Sequence, residues 1–242
     1  MLHLWKDKIL KLTIGNGHYH WMLVQNKTVK IGRITSFVEL LEFFKNLNVH
    51  RLKIEIILMS EVCRYAVIPA LQTWPESEVL DFLKKQQLKQ QYPDVDWGDY
   101  VLLNDKINFN RPILVTAVHQ YVWHEIEEIN RVTEIKFVLT DIMKIWNSYN
   151  KSIGNGNILI VKSKIAILIR SQEQMIFEIN TFPRSMISHI EYDYKFDFLS
   201  VEYAKDESSN ELVLNDCLLV NKDFESYILE DSNQILNLLE SK

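Results

Sequence analysis

Cysteine is nearly absent from this 242-residue chain, which holds only Cys63 and Cys217. Two thiols so far apart exclude the disulfide-stapled scaffold of small secreted proteins and fit a reducing compartment, with both read as core residues. A basic excess is lacking too. The net charge is -5, so there is no surplus of Lys and Arg to neutralise a phosphate backbone, and nucleic acid is excluded as a general partner. Long apolar runs are missing as well. The most apolar stretch, Ile158 to Ile169, is broken by Lys162 and Lys164 and falls short of the roughly 20 apolar residues a spanning helix needs. Met1 to Lys8 alternates in charge and holds no signal-peptide core. The expectation is a cytoplasmic protein without direct membrane insertion.

Catalytic signatures are equally scarce. Gly15-Asn16-Gly17 lacks the following helix and the Lys-Ser/Thr pair of a phosphate loop, so it reads as a hairpin turn. Gly154-Asn155-Gly156 sits between a helix and a strand, the reverse of a dinucleotide fingerprint, and reads as a helix stop and lobe boundary. Neither cysteine lies in a nucleophile elbow or a His-paired signature. His18 and His20 share one strand face and His119 and His124 lie on or near a helix, but no third ligand completes a metal site at a fixed spacing. The pairs Glu127/Glu128 and Asp94/Asp96 read as solvated charge. No catalytic residue, cofactor or metal is therefore expected. Trp74, Trp97 and Trp146 stand at element ends, where a ring seals a core while its N–H reaches a partner.

What is present is a globular composition, 47% hydrophobic and 24% charged, in a chain of a length that suits one large domain or two lobes. Ile9 to Thr35 alternates as two or three antiparallel strands, with turns at residues 15–17 and 25–27. Ser36 and Glu39 have capping-box spacing ahead of a helix whose stripe is Phe37, Leu40, Leu41, Phe44 and Leu47. Leu52–Leu58 reads as a buried strand and Cys63–Ile68 as another. Thr73 and Glu76, with Pro75 in the first turn, predict a helix from Pro75 to Gln91. Tyr100–Leu103, Ile113–Ala117 and Ile135–Leu139 read as strands, with Val118, Val122, Ile126 and Ile129 at helical spacing between the last two. Asp141 is expected to cap a helix carrying Ile142, Ile145, Trp146 and Tyr149.

After Gly156 the opening pattern returns in three short strands, Ile158–Val161, Ile165–Ile169 and Met175–Ile179, which suggests two lobes that each begin with an antiparallel three-stranded unit. Their turn residues Lys162 and Lys164 read as exposed, solvated charge. Ile190 to Phe198 alternates as a strand whose Tyr192, Tyr194, Phe196 and Phe198 either cover a sheet or offer a docking strand to another chain. Leu212–Val220 and the segment around Ile235 to Leu239 read as a strand pair and a terminal helix.

One set of segments carries a resemblance. Cys63-Arg64-Tyr65-Ala66-Val67-Ile68-Pro69 follows an apolar strand. Next come a helix ending at Gln91-Tyr92, then Asp96-Trp97, then Arg111-Pro112-Ile113-Leu114-Val115-Thr116-Ala117-Val118, and finally Asp141 to Asn147 with Trp146-Asn147. In this order, over residues 9 to 182, the chain resembles the cytoplasmic PilM-like and GspL-like proteins of type IV pilus and type II secretion systems. Arg64, Tyr65, Pro69, Trp97, Trp146 and Asn147 carry the likeness as structural motif residues. The resemblance implies an α/β, actin-like (ribonuclease H-like) fold of two lobes with mixed sheets and a truncated second lobe. Residues 1–152 would form the first lobe with an inserted strand-helix subdomain, and residues 153–242 a shortened second lobe.

It also implies a non-catalytic scaffold or adaptor at the inner face of the inner membrane. Such a protein binds the tail of an inner-membrane assembly protein, a secretion or pilus ATPase, or both. GspL-like proteins continue into a membrane span, whereas PilM-like proteins stay soluble. Nucleotide-binding members of the wider superfamily carry an acidic residue in the first hairpin to organise a metal. Here that stretch reads Leu12-Thr13-Ile14-Gly15, and the second turn reads Val161-Lys162-Ser163-Lys164, neither with an acid. Hydrolysis is not expected. The alternatives are an actin-like ATPase that binds nucleotide through atypical residues, and an unrelated stand-alone interaction module.

Overall fold

Period-two alternation and two tight turns make a meander of β1 (Lys8–Ile14), β2 (Tyr19–Gln25) and β3 (Thr28–Ile34), paired antiparallel in sequence order. These coordinates come from a computed structural model that describes residues 8–25, 28–47, 52–108, 110–153, 155–162, 164–186 and 198–201. Ser36 caps α1 (Phe37–Asn46), its side chain accepting from the Glu39 amide, and the helix buries Leu40 and Phe44. The chain then returns through β4 (Leu52–Leu58), whose even-numbered residues Leu52, Ile54, Ile56 and Leu58 are buried.

An insertion follows: β5 (Cys63–Ile68), α2 (Ser77–Gln91), β6 (Tyr100–Asn104) and β7 (Ile113–His119). Its three strands form a separate antiparallel sheet in the order β5-β7-β6. β7 is apolar without alternation because both of its faces are covered. Leu114 and Val118 point into the main core, while Ile113, Val115 and Ala117 pack with Leu80 and Leu88 of α2 in a second cluster. Full burial of a side chain of this size stabilises the fold by about 1.5–3 kcal/mol.

The first lobe closes with α3 (Gln120–Val132), β8 (Glu134–Thr140) and α4 (Asp141–Ile153). β4 and β8 join β1 in parallel, so the main sheet has the order β3-β2-β1-β4-β8. The second sheet starts again with β9 (Gly156–Val161), β10 (Ile165–Gln172) and β11 (Met175–Pro183), paired antiparallel, and β12 (Phe198–Val201) joins β9 in parallel. Its order, β11-β10-β9-β12, repeats the first four positions of the main sheet with the same strand senses. The pattern echo in the sequence is thus an echo of topology. A single core spans both halves: Ile142, Ile145 and Trp146 of α4 cluster with Ile158, Ile160, Ile167 and Ile169 of the second sheet.

Several expectations need correction. α2 begins at Ser77 with Glu76 as its N-cap residue and no side-chain cap, so Thr73 and Glu76 form no capping box. Val118 belongs to β7 and not to the following helix. Trp74 is 64% exposed and seals nothing, whereas Trp146 is buried and Trp97 is partly buried. Of the aromatic strand, Tyr192, Tyr194 and Phe196 lie outside the described residues and Phe198 opens β12. The expected elements at Leu212–Val220 and Ile235–Leu239 also lie outside them.

Candidate functional site

Between the lobes, at the junction of β8 and α4, the chain buries a carboxylate. The cap of α4 is one residue earlier than expected, because Thr140 Oγ1 accepts from the Met143 amide at 3.2 Å. That frees Asp141, which is 1% exposed. Its Oδ1 accepts from Ser60 Oγ at 2.6 Å and from the Ile142 amide at 2.7 Å, and its Oδ2 accepts from the Ser60 amide at 3.0 Å. The fourth donor is the Lys162 ammonium, which forms an ion pair with Oδ2. Lys162 follows β9 and is 4% exposed, which overturns its reading as solvated charge. Lys164 is exposed, as expected.

Neutral polar groups line the same place. Tyr65 is fully buried on β5, its hydroxyl close to Thr140 and Ser60 but without a hydrogen bond of ordinary geometry. Burial pushes its phenol well up, and the neighbouring Cys63 thiol is also pushed up by burial, with the Asp141 charge adding to the effect. A thiol held so firmly in its neutral form is no nucleophile.

The β1–β2 turn is filled from inside. The Gly15 amide donates to His18 O at 3.0 Å, and a Cβ on Gly15 would stand 2.3 Å from His18 Nε2 and 2.7 Å from Glu61 Oε1. His18 Nε2 lies 3.4 Å from that Glu61 oxygen, and the His18 and His20 rings meet edge to face with centroids 5.3 Å apart. Tyr121 Oη donates to Asn16 Oδ1 at 3.3 Å, and Tyr19 Oη donates to Glu125 Oε1 at 2.7 Å. Among the described residues, no group of three His, Cys, Asp or Glu is placed to hold a metal.

His20 supplies a pH test. Burial first, then the charges of His18 and Arg33, lower its pKa from 6.5 to about 4. The folded state therefore keeps this imidazole neutral while the unfolded chain protonates, so its contribution to stability is complete above pH 6.5 and is lost as the pH falls toward 4. Thermal unfolding between pH 7 and pH 4.5 should show His20→Gln losing less Tm on acidification than the parent. An identical slope in both proteins would refute this assignment.

A third feature faces solvent. An open groove of about 640 Å³ runs between the edge strand β6 and helix α3, lined by Asp99, Val101, His119, Gln120, Tyr121, Trp123, His124 and Glu127. The lining holds two carboxylates and no lysine or arginine. Trp123 Nε1 donates to Glu127 Oε1 at 3.0 Å, which fixes the indole along the wall. A row of ring contacts, Tyr92–Trp97–Tyr100–His119–Tyr121, leads from the insertion into the groove. β6 is the outer strand of its sheet, so one edge of its backbone carries no strand partner among the described residues.

The residues that carry the sequence resemblance do not gather in one place: Tyr65 stands beside the Asp141 site and Trp97 in the ring row that leads to the groove. Tyr65 and Trp146 lie in the main core and Trp97 in the insertion's own cluster. Arg64 Nη1 donates at 2.8 Å to the carbonyl of its neighbour Cys63, while Pro69 and Asn147 are exposed. Asp141, Lys162 and the groove were missed as sites. The clue available in the sequence was a lysine closing an otherwise unbroken apolar strand, Ile158-Leu159-Ile160-Val161-Lys162.

No protein-family model and no curated protein matches the chain. Solved structures do. The cytoplasmic domain of EpsL, an inner membrane component of the type II secretion system of Vibrio cholerae, is similar with a TM-score of 0.49 and 11% identity over 84% of this chain and 87% of that one. The PilM-PilN type IV pilus biogenesis complex is similar with a TM-score of 0.47 and 10% identity, covering 78% of this chain and 66% of that one. A Bacteroides thetaiotaomicron protein with actin-like ATPase fold and unknown function reaches a TM-score of 0.57 at 10% identity, with 84% of each chain covered. The fold is actin-like.

An actin-like ATPase fold implies a nucleotide and a divalent metal, and the residues here do not fit that pair. A carboxylate has about four lone-pair sites, and those of Asp141 already receive four donors. Asp141 therefore has no free lone-pair site for a metal or a water. One amide at each hairpin turn is also paired within the chain: Gly15 N with His18 O, and Lys162 N with Ile165 O at 2.8 Å.

Proposed function

We propose that this chain is a non-catalytic adaptor of a bacterial type IV pilus or type II secretion-like assembly. It holds the cytoplasmic tail of an inner-membrane component and links it to the assembly's motor ATPase. Residues 1–152 and 153–242 serve as its two lobes, and it works in the cytoplasm against the inner face of the membrane through that partner. The segment resemblance and the actin-like fold support this reading. Among the described residues no helix is long and apolar enough to cross a membrane. The observation that carries the reading is the groove beside β6.

The chemistry of the groove suits such a tail. Cytoplasmic segments next to membrane spans are enriched in Lys and Arg, and the groove offers Asp99 and Glu127 with His119 and His124 beside them and no lysine or arginine in the lining. Tyr121 and Trp123 present ring faces on which a guanidinium stacks. The open edge of β6 allows an extended segment to pair by its backbone, which supplies affinity while the side-chain pockets supply selectivity.

The test is calorimetry of the intact chain with synthetic tails from one-span inner-membrane proteins encoded beside it. A basic tail should bind saturably, and the double reversal Asp99→Lys with Glu127→Lys should weaken it by about tenfold or more, equal to ~1.4 kcal/mol. ATP with magnesium should give no heat at millimolar concentration. Failure of every neighbouring tail to bind, or micromolar nucleotide binding, would overturn the adaptor reading.

A further inference from the structure

A buried carboxylate at the meeting of two lobes must be neutralised, because leaving it charged and unpaired in a low-dielectric interior costs several kcal/mol. Two means exist, an external cation or one carried by the chain. We propose that Lys162 is a built-in counter-ion. Its ammonium satisfies Asp141 where an external cation would otherwise be needed, and so it keeps the two lobes together without any ligand.

Three observations converge on this. First, the pair crosses the lobes: Asp141 opens α4 of the first lobe, while Lys162 directly follows β9 of the second sheet. Second, both groups are almost completely buried, and Ser60 turns its amide and its hydroxyl to the same carboxylate. An ordinary surface ion pair has no such second layer of donors. Third, the same closed arrangement is clasped again at the side. Gln91 Nε2 donates to the Ile179 carbonyl at 2.6 Å, and Tyr92 Oη donates to Thr181 Oγ1 at 3.1 Å, both reaching from the insertion to β11. A fold whose lobes are fastened by its own side chains needs no nucleotide to close, which is the property a permanent adaptor requires.

A counter-ion, unlike a merely structural lysine, can be replaced by a free cation of the same shape. Lys162→Ala removes three methylenes and the ammonium, the equivalent of n-propylammonium, and leaves a carboxylate in need of a cation. The Tm of the variant should fall by about 10 °C, as expected for a broken buried pair in a chain of this size. Added n-propylammonium chloride should restore it saturably, while sodium or tetramethylammonium chloride at equal ionic strength should not. None of these salts, nor manganese chloride, should move the Tm of the parent in a saturable way. A Lys162→Ala variant as stable as the parent, or one indifferent to n-propylammonium, would overturn the proposal. If that variant does not fold, the neutral pair Asp141→Asn with Lys162→Met decides. Removing both charges should return a folded chain with a Tm within a few degrees of the parent, and its failure to fold would overturn the proposal as well.

Discussion

Asp141→Ala should destabilise the folded chain by about 3–5 kcal/mol, the range for removing one partner of a buried ion pair. The size follows from what is left behind. Besides the Lys162 ammonium, the Ser60 amide, the Ser60 hydroxyl and the Ile142 amide all donate to this carboxylate, and each orphaned buried group carries a penalty of roughly 1–3 kcal/mol unless water reaches it. Asp141→Asn should fall between the parent and the alanine variant. It keeps a carbonyl oxygen for Ser60 but offers no charge to Lys162. Urea unfolding of the three proteins measures this series, read from midpoints at a constant slope. An alanine variant within about 1 kcal/mol of the parent would mean that water enters the site and that the pair is not sealed.

Much of the architecture was legible because it rests on periodicity. The three opening strands, the cap on α1, the buried β4 and the return of a three-stranded unit after Gly156 all follow from alternation, turn residues and capping chemistry, which act within a few residues. The site was less legible for a physical reason. Asp141 has the local signature of a helix cap and Lys162 that of a hairpin turn, and each is the commoner role for its residue type. Their meeting depends on the packing of β8 and α4 against the second sheet, across 21 positions, and no local pattern encodes that distance. The groove escaped for a similar reason. Asp99, His119 and Glu127 come from three elements, and each alone reads as ordinary surface charge or a helix end. The error at α2 was local: Thr73, Pro75 and Glu76 have cap spacing, but Glu76 is extended and the helix starts after it.

The site and the groove share one structural consequence. The insertion that carries β6 also supplies Gln91 and Tyr92 to the clasp on β11, so the wall of the groove is tied to the second lobe as well as to the first. Movement of the two lobes against each other would strain the hydrogen bonds at the insertion and the ion pair at the centre together. A rigid receptor loses less conformational entropy on binding than a mobile one, which suits the proposed capture of an extended tail.

Gly32→Val should destabilise the chain, although strand propensity alone points the other way. Glycine weakens a strand interior by about 0.5–1 kcal/mol relative to alanine, and valine is among the best strand formers. The geometry reverses the sign. Gly32 lies directly opposite Trp21 across β2 and β3, and a Cβ there would stand 2.5 Å from Trp21 Cζ2. The indole covers the glycine and reaches Phe43 of α1, with ring centroids 4.5 Å apart, and Phe43 adjoins the buried Phe44. Any β-substituent therefore pushes Trp21 off its seat and loosens α1 from the main sheet. The expected net loss is about 1–3 kcal/mol, the usual cost of overpacking. Trp21→Ala alone should also destabilise, but in the double variant the valine no longer meets the ring, so the two losses should fall short of additivity by about 1 kcal/mol or more. Urea midpoints for the four proteins of this cycle decide the matter. A Gly32→Val variant more stable than the parent would show that propensity, and not the seat of Trp21, governs this position.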